Sequence, residues 1–422
     1  YDLSGSKKPV KRLWISSLED SAILDGMQHL RSAEEYRHLA EAAVCRSQAD
    51  WLVGMNATRA YTTKYFKKLT VGRVQTPTLA MLVERAGQIS NFQKEKYFNV
   101  ELDCDGIPAV KPKIFDPDEA EQLRSRCQGS EAIVTAVKET EKKVKAPKLY
   151  DLTTLQREAN RIYGMTAKQT LDTAQNLYEK KLITYPRTDS QYLTEDMEQT
   201  ARNVVRQIYE KYQLTGPFDQ PEQPDVKKVM NNSKVTDHHA IIPTMELSSC
   251  HLDELKSWEE KILFLIAVHT VMAMSKEHVY QETEIEVECQ GEIFKAKGKT
   301  VLQDGWKLFE SCFKNKDRMA IVDPDQEMKE KIPKVTQGQT FYAVAAEKTE
   351  HFTSPPKPYS EDTLLAAMET AGNKEFDEDT EKKGLGTPAT RAGIIEKLIY
   401  SQYATRKGKQ IIPTDDGKVL VE

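Results

Sequence analysis

LYDLTTLQREANRIYGMTAKQTLDTAQNLYEKKLITYPRTDS, residues 149–190, is the stretch that determines how the middle of this chain folds. Asp151 can cap the start of a first helix with its side chain, and Gly164 can end that helix in a left-handed conformation. Thr166 with Gln169 forms a capping-box pattern at the start of a second helix. Two helices joined by a short glycine turn and followed by a strand predict a helix-turn-helix-like or winged arrangement.

The last ten residues of this stretch, KLITYPRTDS, combine groups that a core strand does not need. Side chains alternate across an extended chain, so Tyr185 and Arg187 should point to the same side. Pro186 biases Tyr185 toward an extended conformation and removes one ladder donor, which predicts a strand end that opens into a loop. A phenol beside a guanidinium can attack a phosphodiester while the cation holds the phosphate oxygens. The decamer alone favours the simpler alternative, a half-buried tyrosine beside a surface arginine.

Two similar segments on either side of this stretch alternate apolar and polar residues with period two. YFNVELDC (97–104) and TEIEVECQGE (283–292) both show the pattern of a half-buried strand. We expect them to be strands of one sheet that the chain leaves and then rejoins. A helical insertion, at about 151–275, would then interrupt a β domain, which predicts an α+β multidomain fold.

Composition excludes some classes of protein and leaves others open. The chain has 422 residues, 30% of them charged and 39% hydrophobic, and no stretch approaches the roughly 18 apolar residues of a membrane span. The net charge of -5 is weak evidence against nucleic-acid binding, because local patches decide such binding. The six cysteines form no C-x-x-C pair, so we expect reduced thiols in a cytoplasmic protein, with neither a zinc site nor a disulfide framework.

Three further stretches carry polar residues that a fold alone does not require. LTVGRVQTPT (69–78) and GLGTPATRA (384–392) place Gly, Arg, Thr and Gln side chains around predicted helix N-termini, where free N–H groups and the helix dipole favour a phosphate. DHHAIIPT (237–244) places two histidines before an apolar run. Taken separately, the first two are more often ordinary capped helices, and a histidine pair is more often structural than catalytic.

Together, LITYPRTDS, GRVQTPTL, HHAIIPT and GLGTPATRA closely resemble the type IA DNA topoisomerases, and most of all the topoisomerase III branch. KRLWISS and LTTLQREANRIYG fit the same branch, so the resemblance runs through nearly all of the chain. It implies a toroidal, gate-like architecture of helical domains and a β arch. It implies a helical single-strand DNA-binding domain at 1–95 plus 350–422. It also implies a β arch at 96–150 plus 272–349, and a winged-helix-like domain that carries the tyrosine at 151–271.

The resemblance also implies an activity. In this family the motif tyrosine attacks a phosphodiester of single-stranded DNA and leaves a 5′-phosphotyrosine link and a 3′-hydroxyl. Another strand passes through the break, and the hydroxyl reverses the reaction without ATP. Carried over by motif, Tyr185 is the nucleophile, Arg187 stabilises the phosphate, His238 contacts the phosphate and Asp189 helps to arrange the site.

Six further residues match the family's strand-binding segments. The set that holds the strand upstream of the cut is Thr70, Arg73 and Gln75. The set that belongs to a second strand-binding stretch is Thr387, Thr390 and Arg391. The partner implied is single-stranded DNA, and we expect a monomer without a membrane contact.

The sequence departs from the family pattern at its start. Family members begin with a Toprim domain, which carries an Asp-x-Asp-x-Glu cluster that binds Mg²⁺, and no such cluster precedes KKPVKRLWISS. We therefore expect a fragment that lacks the Toprim domain, holds no metal ligands of its own and does not relax DNA alone. Mg²⁺ is implied as the cofactor, with its ligands in the absent domain.

Two other functions compete with this interpretation. Rolling-circle nucleases and relaxases also form 5′-phosphotyrosine, but they need a His-hydrophobic-His pair, and His238 and His239 are adjacent. The other alternative is a non-catalytic single-stranded DNA-binding module that retains the tyrosine. The cellular role and the preferred cleavage sequence stay open.

Overall fold

The structure is a computed structural model that describes residues 5, 8–15, 20–214, 224–235, 237–310, 333–373 and 384–422. The chain divides into two compact units, each built from separate segments of the sequence. The first unit comprises residues 1–87, 147–274 and 358–422, and the second comprises 88–146 and 275–357. The further division of the first unit into a strand-binding domain and a tyrosine domain stays a prediction.

Helices and strands alternate irregularly along the described residues. The helices are α1 (Asp20–Gln28), α2 (Arg37–Tyr65), α3 (Gln75–Ser90), α4 (Pro117–Cys127), α5 (Leu152–Tyr163), α6 (Ala167–Glu179), α7 (Glu198–Tyr212), α8 (Ser257–Ala273), α9 (Glu361–Thr370), α10 (Pro388–Tyr400) and α11 (Asp415–Val421). The strands are β1 (Lys11–Arg12), β2 (Arg31–Ser32), β3 (Lys96–Cys104), β4 (Ile107–Ile114), β5 (Ala132–Val144), β6 (His278–Cys289), β7 (Glu292–Gln303), β8 (Thr340–Phe341), β9 (Ala345–Phe352), β10 (Ala404–Lys407) and β11 (Gln410–Pro413). No helix among the described residues is long and apolar enough to cross a membrane.

The second unit is built on an antiparallel sheet of seven strands in the order β8-β5-β6-β7-β4-β3-β9. The two strands predicted from alternation, β3 and β6, belong to this sheet and are joined through β4 and β7. Their apolar residues are buried because every second side chain faces the core that α4 covers. The prediction of one sheet formed before and after a helical insertion is therefore confirmed.

In the first unit, α5 and α6 form as the sequence predicts. The Asp151 carboxylate accepts a hydrogen bond from the Thr154 N–H at 2.7 Å and caps α5, and Gly164 ends it with φ +70°. Thr166 and Gln169 make the reciprocal bonds of a capping box at the start of α6. Residues 181–190 therefore follow directly after the end of α6.

The strand predicted after α6 does not form. Ile183 makes only an isolated antiparallel bridge with Pro243, flanked by bonds from the Thr184 N–H to Ile242 and from the Thr244 N–H to Leu182. Pro186 lacks the N–H donor that the next hydrogen-bonded pair of this ladder would need, and the Leu182 N–H donates to the Leu177 carbonyl instead of across the ladder, so the ladder does not extend. Tyr185 consequently lies in a loop directly after this bridge.

The first unit has a hydrophobic core that brings the other predicted motifs together. Leu79 and Leu82 of α3 pack in one cluster with apolar residues of α9, α10 and α11. Helix α3 begins at Gln75, within the 69–78 stretch where the sequence predicts a helix N-terminus. Because α3 and α10 share this core, their N-termini belong to one packed body.

Candidate active site and strand-binding surface

The isolated bridge at Ile183 determines which residues surround Tyr185. Its antiparallel register also brings Thr188 to His238, where the Thr188 hydroxyl donates to the His238 carbonyl at 2.9 Å. The Tyr185 ring lies against the His238 ring, with centroids 4.4 Å apart, and meets the Tyr178 ring edge-on at 5.3 Å. Among the described residues the half-buried Tyr185 hydroxyl has no hydrogen-bond partner, so it is available to a substrate.

Side chains alternate along the loop that follows Tyr185. Pro186, Thr188 and Ser190 are buried, whereas Arg187 and Asp189 are exposed. The Ser190 hydroxyl donates to the Lys234 carbonyl at 2.9 Å and holds the loop against residues 234–238. In the part of the chain that the structure describes, the Arg187 guanidinium has no partner. An exposed guanidinium two residues from a tyrosine can bind the oxygens of a phosphate.

The two adjacent histidines have different surroundings. The Nδ1 atom of His239 lies 2.9 Å from the Ala240 carbonyl oxygen, which occupies one ring nitrogen. His238 is exposed, and its ring is the one that contacts Tyr185. The arrangement therefore distinguishes the first histidine from the second, and the contact of His238 with a phosphate stays a prediction.

The two predicted strand-binding stretches meet in the first unit. A Cβ atom placed on Gly386 would lie 3.4 Å from the Val74 side chain and 3.2 Å from the Thr390 hydroxyl, at a φ of +69°. Thr70 donates its N–H to the Tyr403 hydroxyl at 2.7 Å, and Tyr403 belongs to the same core. Gly386 allows the two backbones to approach closely, so the N-termini of α3 and α10 are neighbours and form one polar surface.

Four of the predicted DNA-binding side chains are accessible or part-exposed. Arg73 forms a two-point ion pair with Asp50 of α2, and its side chain is 56% exposed. Thr387 and Thr390 share a hydrogen bond at the start of α10, at 3.1 Å between their hydroxyl oxygens, and both are exposed. Thr70 is part-exposed. Contact of these groups with DNA stays a prediction.

Gln75 is buried, with 2% of its surface exposed, and neither its amide nitrogen nor its amide oxygen has a hydrogen-bond partner within the described ranges. A buried amide without hydrogen bonds costs free energy of folding, on the order of 1–3 kcal/mol. It lies beside Gly72, at the first turn of α3. Because both amide atoms are buried, they are not open to a strand in this structure, and the contact of Gln75 with DNA stays a prediction.

Arg391 faces the protein interior. It donates to the Thr153 hydroxyl at 2.8 Å and to the Leu385 carbonyl at 3.1 Å, and its guanidinium lies 3.7 Å from the Glu369 carboxylate. Burial lowers the pKa of this guanidinium. In this structure Arg391 joins α10 to α5, and its predicted contact with DNA stays a prediction.

A family model and several curated proteins match nearly the whole of this chain. The model of a family described as DNA topoisomerase matches residues 34–422. This chain belongs to the DNA topoisomerase family. DNA topoisomerase 3 of Bacillus licheniformis is 40% identical over 98% of this chain and 58% of its own length, and that of Bacillus subtilis is 40% identical over 99% and 59%. The chain thus spans less than two thirds of the length of these relatives.

A solved structure supports the same fold. The full-length topoisomerase I of Thermotoga maritima superposes with a TM-score of 0.73 at 24% identity, over 97% of this chain and 64% of that one. The resemblance to type IA enzymes, nearest to topoisomerase III, and the α+β fold class are confirmed.

One residue of this topoisomerase chain that sequence reasoning identified only as a helix cap also supports the tyrosine loop. Besides capping α5, Asp151 accepts a hydrogen bond from the Gln191 side chain at 3.0 Å. The Leu152 N–H donates to the Thr188 carbonyl at 3.1 Å. The capping pattern signals Asp151, but nothing in the sequence signals its link to residue 191, which lies 40 positions away.

Asp151→Asn is expected to remove a pH-dependent loss of stability. Burial raises the pKa of Asp151 to about 6, against opposing hydrogen bonds from Thr154. The folded state therefore holds this proton more tightly than the unfolded state, so the stabilisation is complete below pH 4 and is lost as pH rises through about 6. The loss approaches roughly 3 kcal/mol. Asparagine keeps the cap oxygen and cannot ionise.

Chemical denaturation of both forms at pH 4.5, 5.5 and 7 measures this difference. The variant should gain free energy of unfolding relative to the parent as pH increases, and the gain should level off above pH 7. A difference that is the same at all three pH values would contradict the assignment of this shift to Asp151.

The described residues contain no group of three or more His, Cys, Asp and Glu side chains that could hold a metal ion. They therefore do not fit the Mg²⁺ site that the family implies, and no chemical step can be assigned to that ion from this part of the chain.

Proposed function

We propose that this chain is the part of a type IA, topoisomerase III-like enzyme that holds a single strand and supplies the nucleophile. One arrangement carries the proposal: the Tyr185 hydroxyl has no partner among the residues that the structure describes, its ring lies 4.4 Å from that of His238, and exposed Arg187 is two residues away. The family assignment and the meeting of the two strand-binding stretches support it.

The proposed reaction is a reversible exchange of phosphodiesters. The Tyr185 oxygen attacks a backbone phosphorus and loses its proton, and the 3′-oxygen of the strand leaves and gains one. After another strand passes, the 3′-hydroxyl attacks the phosphotyrosine and restores both starting groups, so no ATP is needed. A phenol has a pKa near 10, so cationic and hydrogen-bonding groups are needed to favour the charged transition state. Arg187 and His238 would supply them from this chain, with Asp189 beside them.

We further propose that the protein acts in the cytoplasm as a monomer, with Mg²⁺ as the family's cofactor, and that this chain alone does not relax supercoiled DNA. The support is the resemblance, which assigns the Mg²⁺ ligands to a Toprim domain that no stretch of this sequence matches. A plasmid relaxation assay in Mg²⁺ tests this last point, and efficient relaxation by the 422-residue chain would overturn it.

A non-catalytic strand-binding module is the second candidate, and the exposed hydroxyls of Thr387 and Thr390, in the stretch that meets residues 69–78, favour strand binding by either function. Formation of a covalent adduct by a full-length protein that carries this chain separates the two functions. A catalytic protein forms the adduct, whereas a module only binds.

The chain is expected to bind single-stranded DNA more tightly than duplex of the same length. The strand-binding surface offers separate donors such as Arg73 and Thr390, which follow one backbone. Binding should weaken steeply with salt because phosphate contacts release counterions. Fluorescence anisotropy with matched single and double strands measures both effects, and Arg73→Ala should reduce the salt slope by about 0.7. Equal affinity for both forms at every salt concentration would contradict this prediction.

A further inference from the structure

A cleft of about 390 Å³ opens in the first unit beside the tyrosine loop. One of its walls is a single face of α5, because Thr154, Arg157, Glu158 and Arg161 recur at helical spacing. Gln191, six residues after Tyr185, lines the opposite side. The cleft has the volume of a site for one small ligand group and is too small for a duplex.

The floor of the cleft neutralises its own carboxylate. Glu158 accepts hydrogen bonds from the buried Tyr150 hydroxyl and from Arg161, the latter at 2.7 Å. The His269 ring stacks on Tyr150 with centroids 3.7 Å apart, and its Nδ1 atom lies 3.5 Å from Glu158. Burial lowers the pKa of His269 and raises that of Tyr150, so the charge of Glu158 is compensated by Arg161 alone.

Arg157 is only partly engaged. Its Nε atom donates to the Asp362 carboxylate at 2.8 Å, and its side chain is 36% exposed. Its two terminal nitrogens have no partner among the residues that the structure describes. A guanidinium with one edge free can still bind two oxygens of a phosphate.

The rim connects this cleft to the tyrosine loop. Lys148 lines the cleft and also lies 5.7 Å from the centre of the Tyr192 ring, and Lys234 lies 4.9 Å from the same ring. The Lys148 carbonyl lies 2.7 Å from Nε2 of His269, which holds the rim to the floor. Cation–π contacts of this length hold the ammonium groups near the ring.

These cations form a row, which we call the cationic track: Lys234, Lys148, Arg157 and Arg161. The two carboxylates beside it, Glu158 and Asp362, are already paired. Their partners are Arg161 and Arg157 of the row itself, so the excess positive charge of the row is that of Lys148 and Lys234, in a chain whose net charge is -5. It also begins at residues that bond to the tyrosine loop, since Ser190 donates to Lys234.

We propose that the cationic track binds backbone phosphates of the same single strand that the 69–78 and 384–392 stretches hold, and so lengthens the binding site past Tyr185. This inference rests on the proposed function. A positively charged groove with an aromatic side chain beside it is the kind of surface that follows a nucleic-acid backbone, and here the open edge of Arg157 and the two lysines at Tyr192 supply these features. A free nucleotide carries the same phosphate chemistry, and the experiment distinguishes the two sources.

Two variants break one ion pair and change charge in opposite directions. Arg157→Gln removes a cation, and Asp362→Asn frees Arg157 from its carboxylate. Fluorescence anisotropy of the 422-residue chain with oligothymidylates of increasing length measures their effect. Arg157→Gln should weaken binding of the longer strands by roughly three- to tenfold and reduce the salt slope by about 0.7, whereas Asp362→Asn should strengthen binding. Arg157→Lys should keep most of the slope, because it keeps the charge.

Arg202→Gln is the matched control, since Arg202 pairs with Glu198 within α7, away from the cleft, and should leave every affinity unchanged. If the Arg157–Asp362 pair is only structural, both variants should lose thermal stability to the same extent and bind all strands as the parent does. That result would show that the proposal is wrong. If thymidine 5′-monophosphate binding falls in Arg157→Gln while strand binding does not, the cleft takes a free nucleotide and the strand assignment is overturned. If strands do not bind at all, or Arg73→Ala has no effect, the proposed function itself fails.

Discussion

Tyr185→Phe, in a full-length protein that carries this chain, is expected to abolish the covalent protein–DNA adduct and to leave DNA affinity within about twofold of the parent. Phenylalanine keeps the ring and its contacts with His238 and Tyr178 and loses only the oxygen that would attack phosphorus. The hydroxyl has no partner to lose among the described residues, so the substitution leaves no buried group unsatisfied. The adduct is measured by denaturing electrophoresis with a 3′-labelled strand.

Tyr178→Phe is the matched control for this result. Tyr178 belongs to the same aromatic cluster, with its ring 5.3 Å from Tyr185, and also presents a phenol. It should retain the adduct at close to the parental yield. A 5′-linked adduct that persists in Tyr185→Phe would show that another residue is the nucleophile, whatever the family resemblance. Loss of the adduct in both variants would show that the cluster needs its hydroxyls for structure, and would leave the nucleophile unassigned.

Elements with a strong local pattern were predictable from the sequence. Strands β3 and β6 follow from strict alternation, and α5 follows from a cap, a helical face and a glycine stop. In each case the residues that decide the element lie within thirteen positions of one another. Local chemistry therefore carries enough information to place these elements, although Pro186 limits the strand predicted after α6 to an isolated bridge.

Contacts between distant segments were not predictable in this way. Arg391 reads as a surface cation in a phosphate-binding motif, yet it is buried against Thr153, which lies 238 residues away. The pairing of Arg73 with Asp50 across 23 residues has no signal in either segment. The family resemblance could nominate these residues, but only packing decides whether a guanidinium faces solvent or the interior.

The same distinction separates the two parts of the candidate site. Tyr185 and His238 come together, with Arg187 two residues further along the loop, because one short bridge sets the register of two segments that both belong to recognised motifs. The cationic track draws on α5, the 147–150 segment and Lys234, none of which shows a binding pattern by itself. A single sequence identifies the first arrangement through its motifs and gives no sign of the second.

Arg187→Ala, again in a full-length protein that carries this chain, is expected to slow strand cleavage by roughly a hundredfold or more. That is the scale seen when one donor to a developing oxyanion is removed. The exposed guanidinium has no partner in the part of the chain that the structure describes, so the loss should fall on the reaction rather than on the fold. Arg187→Lys should recover only part of the rate, because an ammonium group cannot reproduce a planar fork with two donors.

Single-turnover cleavage rates separate this role from a loss of folding or binding. Arg202→Ala serves as the control, because it also removes an arginine from this unit and should leave the rate unchanged. The histidines provide a second comparison: His238→Ala should slow cleavage more than His239→Ala, since only the His238 ring contacts Tyr185. Full recovery of the rate by Arg187→Lys would mean that only charge matters at this position. An unchanged rate in Arg187→Ala would show that this guanidinium does not hold the phosphate, and the cation would have to come from elsewhere in the protein.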